Sequence, residues 1–218
     1  MIPLRDEKRR GPTPVVTISL IALLVVIYLW DRDWSVFGQR YVFADLAVRP
    51  SNVMEVFRGG SKEPLATLFT STFLHANLMH LLSNLLFLWV FGPRVESSYG
   101  SARFAIYYVF WGVAASVIQI GVMPDSGIPM VGASGAIAGV MGSYLLLYPA
   151  AVIETVIMPF FWIILDFPAW LLLGFWFLIQ IFLAQPGVAN WAHVGGFLVG
   201  MLSVILVRPK RLAHSSVP

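Results

Sequence analysis

Residues 131–142 read VGASGAIAGVMG. The stretch lies in a long tract without Asp, Glu, Lys or Arg, yet it has little bulk. Gly132, Ala133, Gly135, Ala136, Ala138, Gly139 and Gly142 leave the backbone almost bare. Small residues four apart let two helices approach closely in lipid, and Gly135 and Gly139 have that spacing. One side chain capable of nucleophilic attack, Ser134, stands near the start. Two readings follow. The stretch is either a helix-packing face with an incidental serine, or it holds a nucleophile against a partner helix that carries a base.

Composition sets the solvent for that helix. The chain has 218 residues, 58% hydrophobic and 11% charged, with mean hydropathy +0.80. A soluble domain carries roughly 25% charged residues. An integral membrane protein follows, and the length suits one helical domain. Cysteine is absent, which excludes disulfides, thiolate catalysis and cysteine metal sites. The net charge of +3 is small and no basic patch interleaved with aromatics is present, which argues against a nucleic-acid partner. The first apolar segment is long and lacks a small-residue cleavage site, so no cleavable signal peptide is expected.

Charged residues and prolines divide the chain into six apolar spans. The first is Val15 to Trp30, with Tyr28 and Trp30 as interfacial anchors. Asp31 to Glu63 is a long mixed loop, expected to carry short amphipathic helices in the membrane interface. The second span runs from about His75 to Phe91, and Gly92 to Arg103 reads as a polar turn. Phe104 to Pro124 is the third span and Val131 to Tyr148 the fourth. The segment from Ala150 to Asp166 is interrupted by Glu154, Pro159 and Asp166, with Pro168 just beyond, and reads as a connection hugging the interface. Ala169 to Leu183 is the fifth span, Ala184 to Asn190 a turn, and Trp191 to Val207 the sixth. The domain is thus residues 15–207, with tails at 1–14 and 208–218, in an all-α membrane fold. Six spans put both termini on one side. Nine basic residues fall on that side against five in the long first loop. The positive-inside rule makes that side cytoplasmic.

This topology supplies a test of the second reading. Spans two, four and six run in the same direction. His80 and Asn84 lie in the outer half of span two, Ser134 at the outer end of span four, and His193 at the outer end of span six. Polar residues inside spans are rare, face the bundle interior and are functional by default. Span six also carries Gly196 and Gly200, four apart on the face of His193. The partner helix therefore brings a base. An imidazole activates a serine by taking its proton and later gives that proton to the leaving amine. No carboxylate lies in the outer half of a span, so a dyad is expected, with helix packing holding the ring. His80 and Asn84, four apart on one face, and the Ser134 backbone N–H can donate to a developing oxyanion.

The plainer readings are these. A serine in a transmembrane helix commonly bonds back to its own backbone. Asn84 alone can be inter-helix glue. His75, nearer the surface, reads as a structural hydrogen-bonding residue. His75 and His80 are five apart, which does not fit the i, i+4 spacing of a zinc-binding helix, so no metal and no cofactor are expected. Gln119 and Gln180 read as packing hydrogen bonds, and His214 as part of an inert tail.

These motifs resemble those of the rhomboid intramembrane serine proteases. GASGAIAG around Ser134 is similar to the family's GxSG nucleophile motif. HANLMHLLSN, from His75 to Asn84, resembles its second-span pattern, and AHVGGFLVG around His193 its last-span motif. Gly92, Glu96 and Gly100 match a glycine–glutamate–glycine pattern after span two. The similarity runs from about Pro64 to Val207, and weakly to the IPLRD of residues 2–6. The resemblance implies a six-helix rhomboid-like bundle that cleaves transmembrane segments of other membrane proteins. Ser134 would be the nucleophile and His193 the general base, with His80 and Asn84 lining the oxyanion site. His75, Gly132, Gly135, Gly139, Gly196 and Gly200 would support the site. The partners implied are the lipid bilayer and single-span substrates with small, helix-destabilising residues near the cut. Two positions depart from the pattern: Ala138 and Ala66–Thr67 stand where the family often has aromatics. Short tails without a transit peptide point to a bacterial inner membrane.

Three alternatives make different predictions. A catalytically silent rhomboid-like protein would bind transmembrane helices without cutting them. A small transporter or channel would need paired broken helices or an inverted repeat, and neither is visible. A seventh span at Val152 to Leu165 would move His193 to the side opposite Ser134.

Overall fold

The computed structural model describes residues 1–6, 12–38, 43–157, 163–183 and 187–210. The basic residues Lys8, Arg9, Arg10, Arg40 and Arg211 counted above, together with Pro159, His214 and residues 184–186 of the turn before Asn190, lie outside these. In chain order the elements are β1 (Ile2–Asp6), α1 (Val15–Trp30), α2 (Phe43–Leu46), α3 (Pro50–Phe57), α4 (Thr67–Thr70), α5 (Leu78–Tyr99), α6 (Ser101–Val122), α7 (Ser134–Leu147), β2 (Val152–Val156), β3 (Ile164–Pro168), α8 (Ala169–Phe182) and α9 (Asn190–Val207). Short 3₁₀ turns flank α4 at Glu63–Ala66 and Ser71–Phe73.

The long apolar helices α1, α5, α6, α7, α8 and α9 correspond to the six spans read from the sequence. Of these, α5, α6 and α9 are long and apolar enough to cross a membrane, whereas α1, α7 and α8 are shorter, at 14–16 residues. Ile106, Phe110, Val117, Phe175, Leu202 and Ile205 are exposed on the outer faces of the bundle. An apolar exterior of this kind is stable against hydrocarbon, not water. Inside, α7 is the central element. All but three of its 14 residues are buried, and α5, α6 and α9 pack around it.

Two expectations are corrected. The chain is not all-α: β1, β2 and β3 form an antiparallel sheet in the order β1-β2-β3. The segment Ala150–Asp166 supplies two of its strands, and no helix forms there among the described residues. β-branched residues make up most of Val152–Val156 and favour a strand. The seventh span is thereby ruled out at Val152–Val156 and Ile164–Leu165. The second correction concerns Gly92–Arg103, which does not turn. Helix α5 continues through Pro93 to Tyr99 and stops at Gly100, whose φ of 78° is the left-handed conformation that favours glycine. Two of the charges that suggested a turn, Arg94 and Glu96, are buried and held by partners, while Arg103 is exposed. Arg94 donates to both carboxylate oxygens of Asp6 in β1 at 3.0 and 2.9 Å, and Tyr144 of α7 donates to the same carboxylate at 2.6 Å. This ties the sheet to the ends of α5 and α7.

Glu96 does the corresponding work for α1. One carboxylate oxygen accepts from the Val16 N–H and Ser101 Oγ (2.9 and 2.7 Å), the other from the N–H and Oγ1 of Thr17 (both 2.8 Å). The first N–H groups of a helix have no intrahelical acceptor, and an anion there also opposes the helix dipole. Glu96→Ala would strand these donors in a buried setting. We expect a loss of roughly 3 kcal/mol or more, read as a lower midpoint of thermal unfolding in detergent, while Glu96→Gln should lose less.

The opposite end of the bundle carries the first loop. Arg32 is buried there rather than solvated. Its guanidinium lies 3.8 Å from the ring centroid of Tyr28, pairs with Asp31 at 3.1 Å, and donates to the carbonyls of His75 and Ala76 at 2.9 and 3.1 Å. Tyr28 is therefore a buried platform, not an interfacial anchor. Val48 and Met130 exchange backbone hydrogen bonds (3.1 and 2.8 Å), which fastens the loop to the segment entering α7.

Candidate active site

Ser134 is the first residue of α7. Just before it, Gly132 has φ 126°, a backbone conformation that side chains disfavour, and its N–H donates to the Ser71 carbonyl at 2.9 Å. A Cβ at Gly132 would lie 2.7 Å from two ring atoms of His80. The bare turn thus brings the His80 ring against the residues that carry Ser134. The leading N–H groups of α7 have no intrahelical acceptor and face the same end.

His193 occupies the first turn of α9. Its Nε2 lies 2.8 Å from Ser134 Oγ. The start of α9 is fixed by Gln119 of α6, whose Oε1 accepts the Ala192 N–H at 3.0 Å. Gln119 is thus the packing hydrogen bond expected of it. The approach of α9 to α7 depends on the glycines. A Cβ on Gly196 would collide with the carbonyl oxygen of Gly135, and one on Gly200 with that of Gly139. Gly135 and Gly139 turn their own bare sides elsewhere, toward Ala115 and Trp111 of α6 at 2.7 and 2.5 Å from an added Cβ. The stripe on α7 therefore admits α6, and the stripe on α9 admits α7.

The remaining residues read from the sequence fall close by. His80 lies at the start of α5, and Asn77 caps that helix by accepting the His80 N–H at 2.9 Å. Asn84 is buried one turn further on and donates to the His80 carbonyl at 2.9 Å, which leaves the second hydrogen of its amide for another acceptor. His75 is fully buried, not near the surface, and sits edge-on to His80 with ring centroids 5.2 Å apart. A small cleft beside Ser134 is lined by Ser71, Gly112, Ala115, Gly132, Gly135 and Ala192.

Two contacts to His193 were not foreseen, and both come from α8. Gln180 Oε1 lies 2.7 Å from His193 Nδ1, and the Trp176 ring lies 5.7 Å from the imidazole centroid, tilted by 37°. The ring is thus held by an amide and an indole from a neighbouring helix, and not by packing alone. Trp176 thus lies against the imidazole from α8, in a chain whose position 138 is Ala138. The signal for Gln180 was present: it is a lone amide in an apolar span, one turn from a tryptophan. The arrangement can move a proton from Ser134 Oγ to His193 Nε2, with donors from His80, Asn84 and the α7 N-terminus at the same end.

Comparison with known proteins adds the following. A family model described as Rhomboid domain matches residues 62–210. RHOMBOID-like protein 6, mitochondrial, from Arabidopsis thaliana is 33% identical over 243 residues, covering 94% of this chain and 74% of that protein. RHOMBOID-like protein 1 from the same plant is 33% identical, covering 77% of this chain and 41% of its own length. Rhomboid protease GluP from Bacillus subtilis is 34% identical over 141 residues, covering 62% of this chain and 25% of that protein. The chain thus spans less than half of the last two. A mitochondrial relative gives no support to the bacterial inner membrane expected from the sequence.

Proposed function

We propose that this chain, which belongs to the rhomboid family, is an integral membrane serine endopeptidase that cuts transmembrane segments of other proteins. The observation that carries the reading is the 2.8 Å contact between His193 Nε2 and Ser134 Oγ. One relative carries the name of a protease, which accords with it.

In the proposed reaction, His193 Nε2 takes the proton of Ser134 Oγ as that oxygen attacks the scissile carbonyl. The charge on the resulting oxyanion is met by the Ser134 N–H, His80 and Asn84. His193 then gives its proton to the leaving amine, and an acyl group remains on Ser134. Water, activated by the same imidazole, releases it. The bundle would cross the bilayer six times, with the site toward the end remote from the sheet. The cleft lined by Gly112, Ala115, Gly132 and Gly135 favours a small residue at the cut, because Cβ atoms and backbone leave little room.

A fluorescent fluorophosphonate should label the protein in lipid vesicles at Ser134. A reconstituted single-span substrate with Ala at the cut should be cleaved, and its Phe variant cleaved at least tenfold more slowly, a difference of ~1.4 kcal/mol in the barrier. Absence of labelling would refute the nucleophile, and equal cleavage of the two substrates would refute the small cleft as the selector.

A further inference from the structure

Gln180 does more than pack. His193 Nδ1 faces the Gln180 side-chain oxygen at 2.7 Å, and that oxygen also faces Asn190 Nδ2 at 3.2 Å. An amide can be turned end for end, and the two orientations have opposite consequences. With oxygen toward the ring, Gln180 accepts from Nδ1–H, and Nε2 keeps a lone pair for the Ser134 hydroxyl. With nitrogen toward the ring, Nδ1 must accept, Nε2 carries the hydrogen, and the base is in the wrong tautomer.

Asn190 decides between them. Its Nδ2 lies 3.3 Å from the backbone carbonyl oxygen of Gln180 and within reach of that of Leu183. A backbone carbonyl can only accept, so this end of Asn190 must be its donor end. A donor there requires the oxygen of Gln180, and that oxygen requires Nδ1–H. Asn190 Nδ2 has two hydrogens for three facing oxygens and no lone pair to accept with, so the Gln180 atom beside it is oxygen, and the polarity runs through Asn190 and Gln180 to the lone pair on His193 Nε2. Gln180 is buried, so water does not compete for its oxygen. Trp176 and Gln180 are one turn apart on α8, so the same helix face covers the ring and sets its tautomer.

We infer that Gln180, fixed by Asn190, is a positioning residue that locks His193 in the Nδ1–H tautomer, so that the dyad is completed by a neutral acceptor in place of a carboxylate. Its bearing on catalysis rests on the protease reading; the tautomer itself does not.

The test separates the two. Protein labelled with ¹⁵N-histidine, with His193 assigned by comparison with His193→Ala, is expected to show Nδ1 protonated and Nε2 bare. Gln180→Leu keeps the bulk and loses the acceptor; it should populate the Nε2–H form. Cleavage by Gln180→Leu should fall roughly 10- to 100-fold in kcat with KM nearly unchanged, below the ~10⁴-fold loss that a wrong tautomer causes where a carboxylate is replaced. Gln180→Glu restores an acceptor and should recover most of the rate. An Nε2–H form in the native protein, an unchanged tautomer in Gln180→Leu, or better activity in Gln180→Leu than in Gln180→Glu would overturn the inference. A native Nδ1–H form in a protein that neither cleaves nor labels would instead refute the protease reading and leave the positioning intact.

Discussion

Replacing Ser134 by Ala is expected to remove cleavage of a transmembrane substrate, with a fall in kcat of roughly 10⁴-fold or more. The hydroxyl is the only nucleophile placed against His193, at 2.8 Å among the described residues. No other side chain there can form the acyl intermediate. His193→Ala should cost about as much, because without a base the hydroxyl is a weak nucleophile. The double variant should be no worse than either single one, since the two groups act as a unit. Folding should survive. Ser134→Ala gives up one hydrogen bond, worth about 1 kcal/mol, and Ala suits a helix start as crowded as this one. Cleavage assayed in vesicles, beside thermal unfolding of each variant, makes the check. A folded Ser134→Ala that still cuts would refute the mechanism.

Gly196→Ala is expected to be nearly as damaging to activity, although it adds a single methyl group outside the dyad. The new Cβ would fall on the carbonyl oxygen of Gly135, a main-chain atom that cannot swing aside. The helices α7 and α9 must separate or slide. Overpacking of this kind costs about 1–3 kcal/mol. Gly135 follows Ser134 and Gly196 lies three residues from His193, so the shift enters the reacting geometry directly. A displacement near 1 Å can cost on the order of 10²-fold in rate. Gly174→Ala is the matched control: a Cβ there meets nothing within 4 Å. It should leave activity unchanged and raise helix stability by up to ~1 kcal/mol. If Gly196→Ala unfolds at the native temperature and cuts at the native rate, close helix approach is not what sets the dyad.

Much of the site was legible because its signals are local. A serine in a glycine stripe, a histidine in a second such stripe, and a histidine and asparagine four apart are each visible within a dozen residues. Apolar tracts between charges marked the six long helices to within a few residues at most ends. The misread parts share one cause: a residue's partner lay far away in sequence. Arg94 and Glu96 looked like a surface turn because Asp6 and the start of α1, which bury them, are some 80 residues distant. Arg32 fell within the long mixed loop, and nothing local marked it as buried, because the carbonyls that absorb it lie 43 and 44 residues on. The sheet was missed because neither half of the hairpin is long, and its third strand is Ile2–Asp6.

The sequence by itself pointed to the membrane as solvent, to most of the length of the six apolar helices, and to Ser134 and His193 as the proposed nucleophile and base. Hydropathy and spacing depend only on neighbours along the chain. The tertiary structure alone decided what holds the His193 ring. His193 lies 13 residues from Gln180 and 59 from Ser134, and the single ring meets both, one at each nitrogen. Which nitrogen carries the hydrogen is a property of that three-dimensional chain of donors and acceptors. No pattern along the sequence encodes it, because the polarity starts from main-chain carbonyls that every residue possesses and only folding aims at Asn190.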